Sequence, residues 1–116
     1  MSIFTKHVLS GSTNGRPIQI SATATLGNTI HTASSGANVI DEIWLFAYNV
    51  SSNDVLLTLE KGGVTTPDLL KINIPAQVGP VDIMRGILQS GLILTAFASV
   101  TNVISIDGWV NRIDQS

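Results

Sequence analysis

The chain has 116 residues, of which only 12% are charged, a formal net charge of −2 and no cysteine. This length suits one domain, residues 1–116, whose hydrophobic core is large enough to need no disulfide or metal. The absence of cysteine excludes disulfides, thiolate nucleophiles and Cys-ligated zinc. The six basic residues are scattered, whereas phosphate binding needs clustered lysines and arginines, so we expect no direct nucleic-acid partner.

The surface is expected to be polar but poor in charge, because the charged fraction is about half that of an ordinary globular domain. Serine, threonine, asparagine and glutamine take the place of charged residues. Such a surface loses little side-chain entropy when it is covered, and the cores of protein interfaces are likewise depleted in charge. Two interpretations stay open: a protein that assembles with other proteins, or a threonine-rich β domain with no such role.

Alternation of apolar and polar residues predicts strands along the first half of the chain. In residues 17–26 every second side chain is apolar, which predicts a half-buried strand. Residues 40–50 are apolar on both faces, so we expect a central strand covered twice, either by the chain's own sheets or by another subunit. Turn residues 51–54 are expected to join it to residues 55–60 as an antiparallel hairpin.

In the second half, residues 70–74 predict another strand with one apolar face. Residues 75–80 contain two prolines, which cannot donate to a strand ladder, and are expected to form a connection. A short edge strand is predicted at 81–84. Two longer strands are predicted at 92–98 and 103–113.

Three further features complete the predicted fold. Gly108, next to Trp109, indicates a bulge or a close approach of two backbones. Residues 10–17 and 32–38 are candidate mobile loops. With about eight short strands and no helical periodicity, the pattern favours an all-β fold, an antiparallel, jelly-roll-like β-sandwich.

Residues 86–106 carry no formal charge over the length of a membrane span. The segment contains several polar residues and divides into two β-rich runs, so two buried strands are predicted instead of a transmembrane helix. We therefore expect no membrane association. The first ten residues, interrupted by Lys6 and His7, lack the apolar core of a secretory signal.

No pattern of residues indicates catalysis, a metal or another cofactor. His7 and His31 have no second histidine or carboxylate at ligand spacing, and we interpret both as ordinary strand or loop residues. Asp41 and Glu42 are adjacent, so they should point to opposite faces, and we interpret them as a solvated strand entry. No nucleophile motif surrounds any serine, and Ser10 is interpreted as a turn residue. The chain is not expected to be an enzyme.

Five aromatic residues allow two interpretations. Large aromatic side chains that alternate with aliphatic ones are most often buried, which favours a sandwich core. If several were exposed on one face, they would instead form a platform for stacking sugars. The residues are Trp44, Phe46, Tyr48, Phe97 and Trp109.

Several stretches resemble small virion structural proteins of tailed bacteriophages, including those of cyanobacterial phages. The stretches are DEIWLFAYNVSSNDVLLTLEKGG at 41–63, LLKINIPA at 69–76, AFA at 96–98, NVISI at 102–106 and GWVNRI at 108–113. The resemblance covers residues 40–113 and consists of strand and turn patterns, so it carries over no functional residue. It fades before residue 40, which leaves the role of residues 1–40 open.

Within that group, the sequence is most similar to head decoration, or cement, proteins. These are commonly compact β folds that assemble on the outer capsid surface, often as trimers. The resemblance therefore implies the major capsid protein as partner, a homo-oligomer with a trimer favoured, and a place on the capsid exterior after synthesis in the host cytoplasm. The alternatives are a tail, neck or fibre component, and a glycan-binding β-sandwich module.

Overall fold

The computed structural model describes residues 2–115, in which nine strands and one turn of 3₁₀ helix, Thr66–Asp68, are formed. The sequence predicted about eight strands, and β1 and β3 lie where it predicted none. In chain order the strands are β1 (Ile3–Val8), β2 (Ile18–Gln19), β3 (Asn28–Thr32), β4 (Val39–Asn49), β5 (Val55–Lys61), β6 (Leu69–Ile74), β7 (Val78–Gln89), β8 (Ile93–Ala98) and β9 (Ile104–Asp114).

The strands form two antiparallel sheets in a β-sandwich-like arrangement, as the sequence predicted. Sheet A has the order β1-β9-β4-β7, and the short strand β2 also pairs with β9. Sheet B has the order β3-β8-β5-β6. β4 is central in sheet A, with β9 on one side and β7 on the other.

The core between the sheets is aliphatic. Ile43, Leu45 and Ala47 of β4 are fully buried, as are Leu57 and Leu59 of β5. Among the described residues, the buried hydrophobic side chains are leucine, isoleucine, valine, alanine and methionine. The predicted aromatic core is therefore wrong. Successive side chains of a strand alternate between its faces, and the aromatic residues of β4 occupy the positions that point away from sheet B.

The predicted hairpin of residues 40–50 and 55–60 is also wrong, because β4 and β5 lie in different sheets. Both strands have an apolar inner face, and placing them in opposite sheets packs these faces against each other. The crossing is stabilised by Asn49, whose amide nitrogen donates to the carbonyls of Asn53 and Ile74 at 2.9 and 3.0 Å. Its amide oxygen accepts from the backbone N–H of Ser51.

The strand predicted at 17–26 forms only at Ile18–Gln19. Ile20 still enters the core, but the chain then leaves the sheet and Leu26 is 67% exposed. The side-chain oxygen of Asn28 accepts from the backbone N–H groups of residues 21 and 22, each at 2.9 Å. The Asn28 side chain thus accepts the hydrogen bonds that a neighbouring strand would accept if residues 17–26 formed a full strand, as the alternating pattern predicted.

The remaining strand predictions agree better with the structure. Residues 92–98 and 103–113 correspond to β8 and β9, as predicted. No helix among residues 2–115 is long and apolar enough to cross a membrane. The short strand predicted at 81–84 is part of the longer β7, which includes Pro80; proline is tolerated there because β7 is an edge strand.

The close backbone approach predicted at Gly108 is confirmed. Its φ is +155°, and a Cβ atom built there would lie 2.0 Å from the carbonyl oxygen of Trp44. Glycine is therefore required where β9 runs against β4.

Candidate functional site

The two middle strands of sheet A carry four aromatic side chains on their outer face, and the described chain covers them only in part. Trp44, Phe46 and Tyr48 belong to β4, and Trp109 belongs to the neighbouring strand β9. All four are half-buried. We call these four residues the aromatic face. Thus β4 is central, as predicted, but the described chain buries only one of its two apolar faces.

The two indoles of the aromatic face form a row with two cations. Trp44 and Trp109 are cross-strand partners, and their rings stack with centroids 5.9 Å apart and an angle of 11° between planes. The guanidinium carbon of Arg85 on β7 lies 5.4 Å from the Trp44 ring, and the ammonium of Lys6 on β1 lies 5.7 Å from the Trp109 ring. The strand order therefore places each indole between the other indole and a cation. Cation–π attraction and stacking favour this row.

Two polar atoms of the aromatic face, Trp44 Nε1 and the Tyr48 hydroxyl oxygen, are hydrogen-bonded within the chain. The indole N–H of Trp44 and the amide of Asn111 both donate to Glu42 Oε1, at 2.9 and 3.1 Å. These two hydrogen bonds hold the pKa of Glu42 below its usual value. The hydroxyl of Tyr48 donates to Asp107 at 3.3 Å. Burial and the neighbouring Asp107 raise the pKa of Tyr48, so its hydroxyl stays a donor.

A groove of about 340 Å³ borders the aromatic face on the side of β1. It combines apolar side chains with hydrogen-bonding groups. Its lining is Phe4, Thr5, Lys6, Glu42, Asn111 and Ile113. Phe97, the fifth of the aromatic residues considered as a sugar platform, is not part of this surface, since it lies on β8 in sheet B.

A second group of polar side chains surrounds a carboxylate that is buried between the sheets. Asp41 is fully buried and accepts two hydrogen bonds from Arg112, from Nε at 2.8 Å and from Nη2 at 3.0 Å. His31 Nε2 donates to the same carboxylate at 2.7 Å. Our interpretation of Asp41 as solvated is therefore wrong, whereas the prediction that Glu42 points to the opposite face is confirmed. The pairing was missed because Arg112 is distant in sequence.

This cluster contains Ser10, His31 and Asp41, but it lacks the geometry of a nucleophilic triad. Ser10 contacts the imidazole through its backbone N–H, which donates to His31 Nδ1 at 3.0 Å. The Ser10 hydroxyl instead accepts from the backbone N–H of Thr32 at 2.7 Å. Both imidazole nitrogens are thus occupied, and the cluster joins β3, β4 and β9 to the segment after β1. Its arrangement suits stability, not proton transfer.

Two candidates from the sequence remain, namely His7 and a metal site. His7 lies on β1, and its Nε2 is 2.9 Å from the Thr5 hydroxyl. Within residues 2–115, no group of three or more histidine, aspartate or glutamate side chains is placed to hold a metal ion.

Glu60 is a buried carboxylate that the sequence analysis did not single out. It accepts from the hydroxyls of Thr95 and Thr25 at 2.6 and 2.8 Å and from the backbone N–H of Gly27 at 2.9 Å. Burial raises the pKa of Glu60, but these hydrogen bonds outweigh burial and lower it. The contacts hold the irregular segment 20–27 against sheet B. No local pattern indicates this, because the partners come from two segments that are distant from Glu60 in the sequence.

We expect the protein to lose stability in acid through Asp41. Burial alone raises the pKa of this carboxyl, but hydrogen bonds from Arg112, His31 and the Ser34 backbone lower it from 3.8 to about 2. A carboxyl with a lowered pKa stabilises the fold above its unfolded-state pKa, and this contribution is lost as pH falls through about 4 towards 2. The loss is roughly 2 to 3 kcal/mol. Urea unfolding between about pH 5 and about pH 2 measures it.

An NMR titration of the side-chain carboxyl carbons shows whether the Asp41 carboxyl causes this loss of stability in acid. The pKa of Asp41 should lie well below the ordinary aspartate value. A midpoint at the ordinary aspartate value would contradict the prediction.

Comparison of the chain with protein-family models, curated proteins and solved structures finds no match. The functional proposals below therefore depend on the geometry of the chain and on the resemblance described above.

Proposed function

We propose that this chain is a structural protein of a tailed-phage virion, a decoration protein that binds the major capsid protein on the capsid exterior. It stabilises the particle without a chemical step. The observation that carries this proposal is the half-exposed aromatic face on a domain with few charges. Because the polar atoms of Trp44 and Tyr48 already have hydrogen-bond partners, this face gains most free energy when another protein surface covers it.

The strand order supports a finer proposal, that the fold is a jelly roll. Without the two-residue strand β2, the remaining eight strands can be renumbered one to eight in chain order. Sheet A then has the order 1-8-3-6 and sheet B the order 2-7-4-5, which is the strand order of a jelly roll. Jelly rolls are frequent among viral capsid proteins and lectins.

The protein is further proposed to be a homo-oligomer, with a trimer favoured, made in the host cytoplasm. A capsid fixes the spacing of its binding sites, so many weak contacts add up to tight binding. The contacts should be aromatic and polar, not ionic. Binding is therefore expected to survive elevated salt, since salt screens exposed charges much more than it weakens apolar contacts.

Quantitative mass spectrometry of purified virions tests the proposal. A decoration protein should be present in hundreds of copies per particle, and the purified protein should bind capsids that lack it at both low and elevated salt. A few copies located at the tail would favour a tail, neck or fibre component instead. Binding that disappears as salt rises would contradict the expected contact chemistry.

A glycan-binding module is the second candidate, because the groove beside Trp109 brings Lys6, Glu42 and Asn111 next to aromatic rings. Against it, sugar stacking needs a free aromatic face, and each indole already has a neighbour on both sides. Titration of the protein with a panel of oligosaccharides, monitored by tryptophan fluorescence, distinguishes a glycan-binding module from a decoration protein. Saturable quenching by one sugar would favour glycan binding.

A further inference from the structure

We propose that other copies of this chain cover the aromatic face, and that three copies pack their sheets A around a threefold axis parallel to the strands. This inference rests on the oligomeric part of the proposed function. It adds the surface through which the copies meet.

The distribution of side chains on sheet A matches the anatomy of an interface. The aromatic residues lie on the two middle strands, β4 and β9, and the two carboxylates beside them, Glu42 and Asp107, already accept their hydrogen bonds. The other charged side chains, Lys6, Asp82 and Arg85, lie on the edge strands β1 and β7. Stable interfaces have an apolar centre and a polar rim in the same way. The rim carries both signs of charge, so it does not exclude a copy of itself as a single-sign face would.

The size of the face can be compared with that of known interfaces. β4 and β9 have 11 residues each, which corresponds to a length of about 36 Å, and four strands span about 19 Å. Each copy therefore offers about 700 Å², which it divides between two neighbours. Three copies together bury about 2,100 Å², compared with about 1,600 Å² in total for a standard interface between two partners.

The width of the sheet fits three copies better than four. If three sheets about 19 Å wide form a triangular prism, each lies about 5.5 Å from the axis, close to half the usual separation of about 10 Å between packed sheets. Side chains from three copies then fill the centre. Four copies would place each sheet about 9.5 Å from the axis and leave a channel.

A threefold arrangement also covers apolar side chains at the edges of sheet A. Phe4 and Val8 on β1 are 69% and 51% exposed, and Ile87 on β7 is 49% exposed. β1 of one copy approaches β7 of the next. The two edge strands run antiparallel because the four main strands of sheet A alternate in direction.

Light scattering of the full chain during size-exclusion chromatography tests this inference. The wild type should have the mass of three chains. The Phe46→Glu variant should remain monomeric up to a concentration at least about 100-fold higher than that at which the wild type forms trimers, because the substitution would bury a charge at the centre of the interface. The matched control is Leu56→Glu, at a 43% exposed position on β5 of sheet B. This control should remain trimeric.

Tryptophan fluorescence provides a readout that needs no variant. Both tryptophans of the chain belong to the aromatic face, so dilution of the wild type should shift the emission to the red and increase acrylamide quenching as the trimer dissociates. Emission that does not change on dissociation would place the interface elsewhere. A monomer, a dimer or a trimer unaffected by Phe46→Glu would overturn the inference.

The inference and the proposed function can fail separately. A monomeric wild type that still binds capsids in hundreds of copies would overturn only the threefold interface. A trimer that dissociates on Phe46→Glu but binds no capsid would overturn the decoration function and leave the interface in place.

Discussion

Replacement of Arg112 with methionine is expected to lower the free energy of unfolding by about 3 to 5 kcal/mol, because the buried Asp41 carboxylate would lose its cation. The guanidinium donates to both carboxylate oxygens, and the Asp41 side chain has no exposed surface. Methionine keeps most of the apolar stem of arginine, so the loss reports mainly on the charge. Urea unfolding followed by circular dichroism measures it.

Two further variants separate charge from geometry. Arg112→Lys keeps the charge but cannot form the two parallel hydrogen bonds, so it should lose clearly less stability than Arg112→Met. Adding Asp41→Asn to Arg112→Met removes the unpaired charge and should recover part of the loss, which a double-mutant cycle quantifies. A loss below about 1 kcal/mol for Arg112→Met would show that the pair contributes little, as exposed ion pairs do.

Gly108→Ala is expected to cost at least about 3 kcal/mol, because the new methyl group would collide with a neighbouring strand. Its Cβ would lie 2.0 Å from the Trp44 carbonyl oxygen and 3.2 Å from the Leu45 Cα, and the glycine φ of +155° adds strain. The backbone atoms of β4 cannot move aside without breaking the β4–β9 ladder. Thermal unfolding should show the loss, and near-ultraviolet circular dichroism should show a disturbed tryptophan pair.

Gly15→Ala is the matched control. Gly15 also has a positive φ, +83°, but the nearest atom to its added Cβ is Val8 Cγ1 at 3.7 Å. This substitution should cost about 1 to 2 kcal/mol, the strain of a left-handed conformation alone. Equal losses for the two variants would show that the collision at Gly108 relaxes easily.

The sequence predicted strands best where the whole strand is paired in the structure. Residues 92–98 and 103–113 form β8 and β9, because each strand finds a partner along its length. Residues 17–26 show an equally regular alternation but leave the sheet after Ile20, because the Asn28 side chain satisfies the backbone there. Local periodicity records which residues can face a core, whereas ladder formation depends on whether a neighbouring strand is available.

The candidate sites were harder to predict because their partners are far apart in sequence. Asp41 meets Arg112 and His31 only after β4 is placed between β9 and β7 and against β3. Glu60 likewise meets Thr25 and Thr95 through the packing of sheet B. A carboxylate in an alternating strand looks the same in the sequence whether its partner is water or a buried arginine.

The sequence by itself determined that the protein is an all-β chain with a central strand near residues 40–50 whose two faces are both apolar, since a period of two places alternate side chains on opposite faces. Only the tertiary structure decided which face is inside. The inner positions hold Ile43, Leu45, Ala47 and the paired Asp41, because aliphatic side chains fill the narrow space between two sheets and the buried carboxylate finds its arginine there. The aromatic residues are therefore on the outside, where the wide indoles stack across β4 and β9 and present the surface on which the proposed assembly depends.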